Sequence, residues 1–376
     1  MKYILRNKSI ITGKKNLEHL YTFKNFPVFM GCVDEPDERK DLRSDMSFSI
    51  CRDSGIIQLD KVLPLDMVYL NEHADGTGAV WQKHYIAFAN FIKMFSVENV
   101  LEIGGGNGVV AKLCMDNKKD INWTIIEPNP IFKGNKKIKV IKGWFNEKFN
   151  FKNNIDMVVH SHVLEHIYDP DMFIKQIAYI LKRGDKHIFS LPNLYELLVN
   201  KYTNCINFEH TIFLTEYFTD YLLKKNGFKI IKKKYFLNHS IFYATEKLEK
   251  SQDTEYVSKY KKYKKMFINF IDYHQNLIKD FNRKIDNFDG EIYLFGAHVF
   301  SLYLLAFGLK KEKITAILDN SELKHKKRLY GTSFHVYFPE IIRNKKNAAV
   351  ILKAAGYQQE IKKQLISLNK NIIILE

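Results

Sequence analysis

Cysteine is scarce in this chain. Four are present in 376 residues, Cys32, Cys51, Cys114 and Cys205, and no two form a Cys-x-x-Cys pair. Scattered single thiols suit a reducing compartment, and a zinc site cannot be assembled from them alone. Long apolar runs are missing as well. None reaches the roughly 18 residues of a membrane span, and residues 1–8 hold too short an apolar segment for a secretory signal. A cytoplasmic protein with no membrane span is expected. Acids are outnumbered, 42 against 58 Lys and Arg, for a formal charge of +16. Such an excess can serve nucleic acid, an anionic membrane surface or an acidic substrate. Here it is mostly lysine spread along the chain, densest at 229–234, 259–265, 310–313 and 324–328. The compact arginine and aromatic pattern of a nucleic-acid module is absent. A solvated lysine-rich surface with some attraction for phosphorylated substrates fits better, and nucleic acid is not an expected partner.

What the chain does carry is concentrated at residues 97–115. An apolar run, 97–103, stops in a glycine cluster with Gly104, Gly106 and Gly108 alternating, and a helix-compatible stretch follows at 109–115. This reads as strand, tight turn and helix start, a geometry that lets backbone N–H groups approach a ligand. Glu102 precedes the glycines. About 20 residues on, a second apolar run ends in Glu127, where dinucleotide-binding folds place the acid that holds a ribose diol. A bare glycine-rich connection in an α/β domain is the plainer reading. The strand, the helix and the spaced acid together favour a nucleoside-containing ligand.

The length predicts two or three domains. Residues 1–72 are irregular and β-rich, punctuated by Pro27, Pro36 and Pro64, with a charged loop at 34–45. From about Thr77, Trp81, Tyr85, Phe88, Phe91, Ile92 and Phe95 recur at helical spacing. His84 lies in that helix, as a packing histidine or a substrate contact. Residues 139–145 read as strand three, and its end, with Trp144 and Phe145, could face an adenine. Strand four, 156–161, brings His160, Ser161 and His162 to the carboxyl end of a central strand, where open α/β sheets build their sites. Glu165 and His166 follow, as site residues or as helix-start packing and dipole complementation. Strand five ends at Pro192 and Asn193. A loop then carries Asn207, Phe208, Glu209 and His210. Residues 248–289 switch to a long helical period whose aromatic stripe reads as packing. Residues 290–376 repeat an α/β signature with a single glycine in the first turn, so dinucleotide binding there is not expected.

The run Glu-x-Gly-x-Gly-x-Gly at 102–108 resembles the first motif of class I S-adenosylmethionine-dependent methyltransferases. "HVLEHIYDP" at 162–170 resembles the motif after strand four of the same fold. With "SFSICRDSGIIQL" before them, "NFEH" after them and "YLFGAHVFSLYLL…ILDNSELKHKKRLYGT" at the end, the chain resembles, over essentially its whole length, the sugar C-methyltransferase family acting on nucleotide-linked deoxysugars. The resemblance implies a central seven-stranded Rossmann-like methyltransferase domain (73–247), a small N-terminal module (1–72), a helical linker (248–289) and a C-terminal Rossmann-like α/β domain (290–376). It implies S-adenosylmethionine as cofactor, held by Glu102 near the methionine part, Gly104, Gly106, Gly108, Glu127 on the ribose, Trp144, Phe145, His160, Ser161 and His162. It places the family's Glu-His pair on Glu209 and His210. Tyr69, His73, His84 and Asn193 are candidate substrate contacts. The family's N-terminal zinc module has two Cys-x-x-Cys pairs. Here Cys51 stands at the second, Ser54 replaces its partner and no counterpart of the first is seen, so no metal is expected.

Methyl transfer from a sulfonium is an in-line displacement of an already activated group, so the protein mainly aligns and deprotonates the acceptor. Carbon methylation beside a ketone needs a base and an enolate-stabilising group, tasks suited to histidine. His210 is the candidate, with Glu209 orienting it and His162 as second choice. A sugar O-methyltransferase needs only the base, and a non-catalytic adenosylmethionine-binding partner protein needs neither. No Asn/Asp-Pro-Pro-Tyr motif for methylating nucleic-acid bases is present.

Overall fold

The computed structural model describes residues 3–68, 78–115, 121–147, 149, 151 and 154–376. Tyr69 and His73 lie outside the described residues. Near the N-terminus, β1 (Leu17–Pro27), β2 (Arg43–Cys51) and β3 (Ile57–Leu59) form an antiparallel sheet. Its buried face carries Phe23, Phe26, Met46, Phe48 and Ile50.

At one end of this sheet Ser9 and Thr12 stand with Cys51 and Ser54. Thr12 Oγ1 is 3.8 Å from Cys51 Sγ, which also accepts from Ser54 N at 3.5 Å, and Ser9 Oγ accepts from Thr12 N at 3.3 Å. Ser9-x-x-Thr12 thus occupies the place for which the sequence reading found no counterpart. Hydroxyl and thiol groups here bond to one another and to the main chain. One thiol and three hydroxyls are not a zinc donor set, so the metal that the family resemblance implies does not fit this module.

The central sheet has seven strands: β4 (Asn99–Ile103), β5 (Asn122–Glu127), β6 (Ile138–Lys142), β7 (Met157–Ser161), β8 (Lys186–Pro192), β9 (Phe228–Phe236) and β10 (Ser240–Lys247). Their order is β9-β10-β8-β7-β4-β5-β6, with only β10 antiparallel to its neighbours. The inner strands are apolar on both faces because both are covered. Val100, Ile125, Val159 and Ile188 pack under α1 (Ala79–Ile92) and α2 (Val109–Met115). Leu101, Ile103, Val158 and Phe189 belong to the core that includes α3 (Pro170–Ile180) and α5 (Glu216–Lys225), with the short α4 (Leu194–Val199) between them in the chain. Strand three is shorter than its apolar pattern. It ends at Lys142, where Gly143 N turns to donate to Glu127 O at 3.1 Å.

Beyond residue 250 the helix α6 (Tyr260–Asp286) starts later than its periodicity suggests. The chain before it runs against the turn after β2. Lys259 N donates to Ser54 O at 2.9 Å, and at Gly55 (φ +84°) a Cβ would lie 2.4 Å from the Lys259 carbonyl carbon. Only glycine permits that approach. The aromatic stripe of α6 is packing, as expected: ring centroids lie 5.4 Å apart for Phe48 and Phe267, and 5.2 Å for Phe213 and Tyr263.

The C-terminal sheet comprises β11 (Glu291–Phe295), β12 (Ala316–Leu318), β13 (Val336–Tyr337), β14 (Ala348–Leu352) and β15 (Ile373–Leu375). All are parallel, in the order β13-β12-β11-β14-β15, with helices α7 (Val299–Ala306) and α8 (Gln358–Leu368). A buried ion pair joins it to the N-terminal module: Arg328 reaches both Asp41 oxygens at 2.5 and 2.9 Å. Among the described residues no helix is long and apolar enough to cross a membrane.

Candidate active site

The glycine turn leaves β4 at the centre of the seven-stranded sheet. Gly104 is exposed, has φ +73°, and a Cβ there would lie 2.6 Å from Val163 Cγ2. The turn from strand four therefore closes directly on the turn from strand one. Gly106 N donates to Glu127 Oε2 at 3.3 Å, and Gly108 precedes the first residue of α2. Glu127 is half-buried at the end of β5, and its Oε1 accepts from Asn129 N at 3.0 Å. A half-exposed carboxylate with only main-chain donors, beside an uncovered glycine, fits the ribose of a nucleoside ligand.

Three of the expected cofactor residues point elsewhere. Glu102 is 3% exposed and accepts from Trp123 Nε1 at 2.7 Å. It lies on the helix-covered face of β4 and supports the turn from beneath, and burial raises its pKa to about 7. Phe145 turns inward against Phe149 and Phe173, while Trp144 stays 54% exposed beyond the end of β6. His160 is wholly buried, with Nε2 2.9 Å from His187 Nε2 and its ring stacked on Phe189. His160 lies on the face of β7 that it shares with Val158, against Phe173 of α3.

At the end of β7, Ser161 is half-buried and His162 adopts φ +53°, a left-handed conformation that a non-glycine residue rarely takes. His162 Nδ1 lies 3.1 Å from Glu165 Oε1, and its Nε2 lies 3.0 Å from Ser240 Oγ. Burial lowers the His162 pKa to about 3 and raises that of Glu165 to about 7. His84 is buried, with Nε2 2.8 Å from Ser190 Oγ among aromatic rings. That is the packing alternative, not a substrate contact. Asn193 is likewise corrected. Its side chain accepts from Glu196 N at 3.3 Å and caps α4.

The Glu-His loop is built from the opposite side. Asn207 Oδ1 accepts from the main chains of Glu209 (2.8 Å) and His210 (3.0 Å). His210 Nδ1 lies 3.0 Å from Asn204 O. A carbonyl only accepts, so Nδ1 carries the proton and neutral His210 has its lone pair on Nε2. The ring lies 4.8 Å from that of His166. A main-chain carbonyl thus holds the ring through Nδ1. Glu209 is 8% exposed, and burial raises its pKa to about 8.

The N-terminal module holds this loop. Leu59 N and Arg6 donate to Thr211 O at 2.9 and 3.1 Å, and Phe213 N donates to Ile57 O at 2.8 Å. Val163, Asn204, Asn207 and Arg6 were missed as site residues. Val163 had a signal in the motif after strand four and the asparagines in their position beside the Glu-His pair; Arg6 had none. Glu165 and His166 were visible as alternatives to packing. Ser161 Oγ, both Glu165 oxygens, Asn204 Oδ1 and Thr211 Oγ1 are buried without a hydrogen-bond partner, a concentration that marks a binding region. A separate cavity of about 240 Å³ is lined by Lys201, Thr203, His274, Lys353 and Gln358, among others, and by no glycine-turn residue.

Residues 80–233 match the family model of a methyltransferase domain, and residues 238–372 that of a C-methyltransferase C-terminal domain. No curated protein matches the sequence. Similar solved structures include human N-acetylserotonin methyltransferase in complex with S-adenosylmethionine, at 20% identity and TM-score 0.39, covering 45% of this chain and 53% of that one. A putative S-adenosylmethionine-dependent methyltransferase from Listeria monocytogenes is similar at 15% identity and TM-score 0.37, covering 44% and 100%. The N-methyltransferase NodS from Bradyrhizobium japonicum is similar at 13% and 0.36, covering 45% and 97%. The two domain matches, in this order along one chain, make the protein a class I S-adenosylmethionine-dependent methyltransferase.

Proposed function

We propose that the enzyme methylates carbon in a nucleotide-linked sugar or a related small metabolite, with His210 as base. S-adenosylmethionine, when bound, supplies an electrophilic methyl group. On this reading Gly104, Gly106 and Gly108 leave room for it, Glu127 takes the ribose diol, Trp144 flanks the adenine, and Ser161 and Val163 close the turn from strand four. The observation that carries the reading is the His210 tautomer. With the proton fixed on Nδ1 by Asn204 O, Nε2 is the nitrogen able to remove a proton from an acceptor carbon. Glu209, with its pKa near 8, is protonated at neutral pH and can donate to a developing enolate oxygen.

The match at 238–372 to a C-methyltransferase C-terminal domain supports carbon over oxygen as acceptor. The cavity lined by Lys201 and Lys353 supports an acceptor carrying phosphate, and residues 200–203 lead directly to Asn204. Titration calorimetry with S-adenosylmethionine and S-adenosylhomocysteine tests the cofactor site, with Gly106→Val as control. Incubation with a panel of nucleotide sugars and isotopically labelled methyl donor, followed by NMR, locates the methyl group. Label on carbon is expected. Label on oxygen would replace this reading with a sugar O-methyltransferase, and cofactor binding without turnover on any acceptor would favour the non-catalytic partner. Lys353→Ala should raise KM for the nucleotide sugar and leave adenosylmethionine affinity unchanged.

A further inference from the structure

Behind the turn from strand four, three histidines from distant parts of the chain converge. His84 comes from α1, His162 from the end of β7, and His239 from the turn between β9 and β10. Their ring centroids form a near-equilateral triangle of 5.1, 5.5 and 5.6 Å. One nitrogen from each lies within 4.8 Å of the other two. Trp81 lies against all three rings, at 4.8 to 5.3 Å between centroids. We propose that His84, His162 and His239 bind one divalent transition-metal ion of the zinc class, with Glu165 as the carboxylate behind His162.

The hydrogen-bonding pattern is that of a ligand set with its supports. Ser240 Oγ lies 3.0 Å from His162 Nε2 and 2.5 Å from His239 Nδ1. One hydroxyl bridges the two rings, so Ser240 holds His162 and His239 side by side. Ser190 Oγ fixes His84 through Nε2, and His84 Nδ1 is buried without a hydrogen-bond partner. Metal-bound imidazoles are commonly backed by a carboxylate at the second nitrogen. His162 has this in Glu165, 3.1 Å from Nδ1, whose oxygens are buried without hydrogen bonds. A dication beside that buried carboxylate balances its charge.

Zinc–nitrogen bonds of about 2.0–2.1 Å in tetrahedral geometry bring ligand nitrogens to roughly 3.3 Å of one another, so the rings must draw inward by side-chain rotation. Three protein ligands leave one position for solvent. The ion would tie α1, the turn after β7 and the β9–β10 hairpin together. No Cys-x-x-Cys spacing is present, and the His-x-x-x-His spacing of His162 and His166 does not announce this site, because its three ligands are some eighty residues apart.

The test uses the full chain, stripped with chelator and titrated with Zn²⁺ against a chromophoric competitor, and with Co²⁺ for its visible ligand-field spectrum. One equivalent per chain and a raised thermal midpoint are expected. His239→Ala, at a half-buried turn, should abolish uptake, and Glu165→Gln should weaken it by about 10–100-fold. His210→Ala should retain it. X-ray absorption of the zinc-loaded wild type should show three imidazoles and no carboxylate ligand, which decides the matter even if a variant fails to fold. No stoichiometric uptake would overturn the proposal. So would uptake lost in His210→Ala but kept in His239→Ala, since that places the ion at Glu165, His166 and His210, the other group whose ligand atoms lie within 4.8 Å.

Discussion

The protein contains two strand–turn–helix units of the same design, and they differ in what the turn is free to do. In the central sheet, Glu127 at the end of β5 is half-buried, and Gly106 N reaches its Oε2 at a long 3.3 Å. In the C-terminal sheet, Asp319 follows the end of β12 in the corresponding place. Its Oδ2 accepts from Ala297 N at 2.8 Å and from Lys324 Nζ at 3.0 Å, and its Oδ1 accepts from Ser321 N at 3.0 Å. The second turn has Ala297, fully buried, where the first has glycines. Topology is thus shared, but one acid retains capacity for a ligand and the other is engaged by its own chain. Orphaned buried polar side-chain atoms follow the same division. Among the described residues, His325 Nδ1 is the C-terminal example, and all the others lie between His84 and Thr211.

The largest effect that sharpens this contrast is His210→Ala. It should lower kcat by about 10²–10⁴-fold while adenosylmethionine affinity, read by calorimetry, stays as in the wild type. An unchanged kcat would remove His210 from the chemistry. Next is Gly104→Val, which meets both a left-handed backbone and Val163. Strain and overlap of a few kcal/mol should weaken adenosylmethionine binding by roughly 100-fold. Gly296→Ala, whose Cβ would meet Phe300 only at 3.9 Å, should cost stability and no cofactor affinity.

Smaller is the paired comparison of strand-end acids. Glu127→Ala should weaken cofactor binding by about tenfold, the loss of a charged hydrogen bond, and Asp319→Ala should leave it unchanged. Equal losses would erase the distinction between the two turns. The last prediction concerns stability, not binding, and is a pH effect. Burial holds Glu209 protonated to about pH 8 in the folded state, against an ordinary 4.5. The folded form then binds more protons than the unfolded form between these values. Stability should fall as pH rises through that window, at roughly 1 kcal/mol per pH unit from this group. Urea midpoints at pH 5 and pH 8 should show Glu209→Gln less sensitive than the wild type.

Much of the central site was legible in the chain. A glycine cluster, a strand-end acid and a Glu-His pair are local patterns, and local spacing survives folding. The failures share one cause. Glu102, Phe145, His160 and Asn193 stand at the right places along the chain, but which face each meets depends on strand alternation, a turn or a helix cap. Ser9 and Thr12 went unread because a hydroxyl pair has no chemistry of its own until Cys51 and Ser54 are brought beside it.

The sequence by itself therefore determined the class of the central sheet, the glycine turn and the identity of the candidate base. Periodicity and turn chemistry act over a few residues and need no partner. Only the tertiary structure decided that Asn204 sets the His210 tautomer, that the N-terminal sheet holds its loop, and that His84, His162 and His239 meet. Those contacts join residues far apart in sequence, and the order of strands in a sheet, not the order of residues in a chain, brings them together.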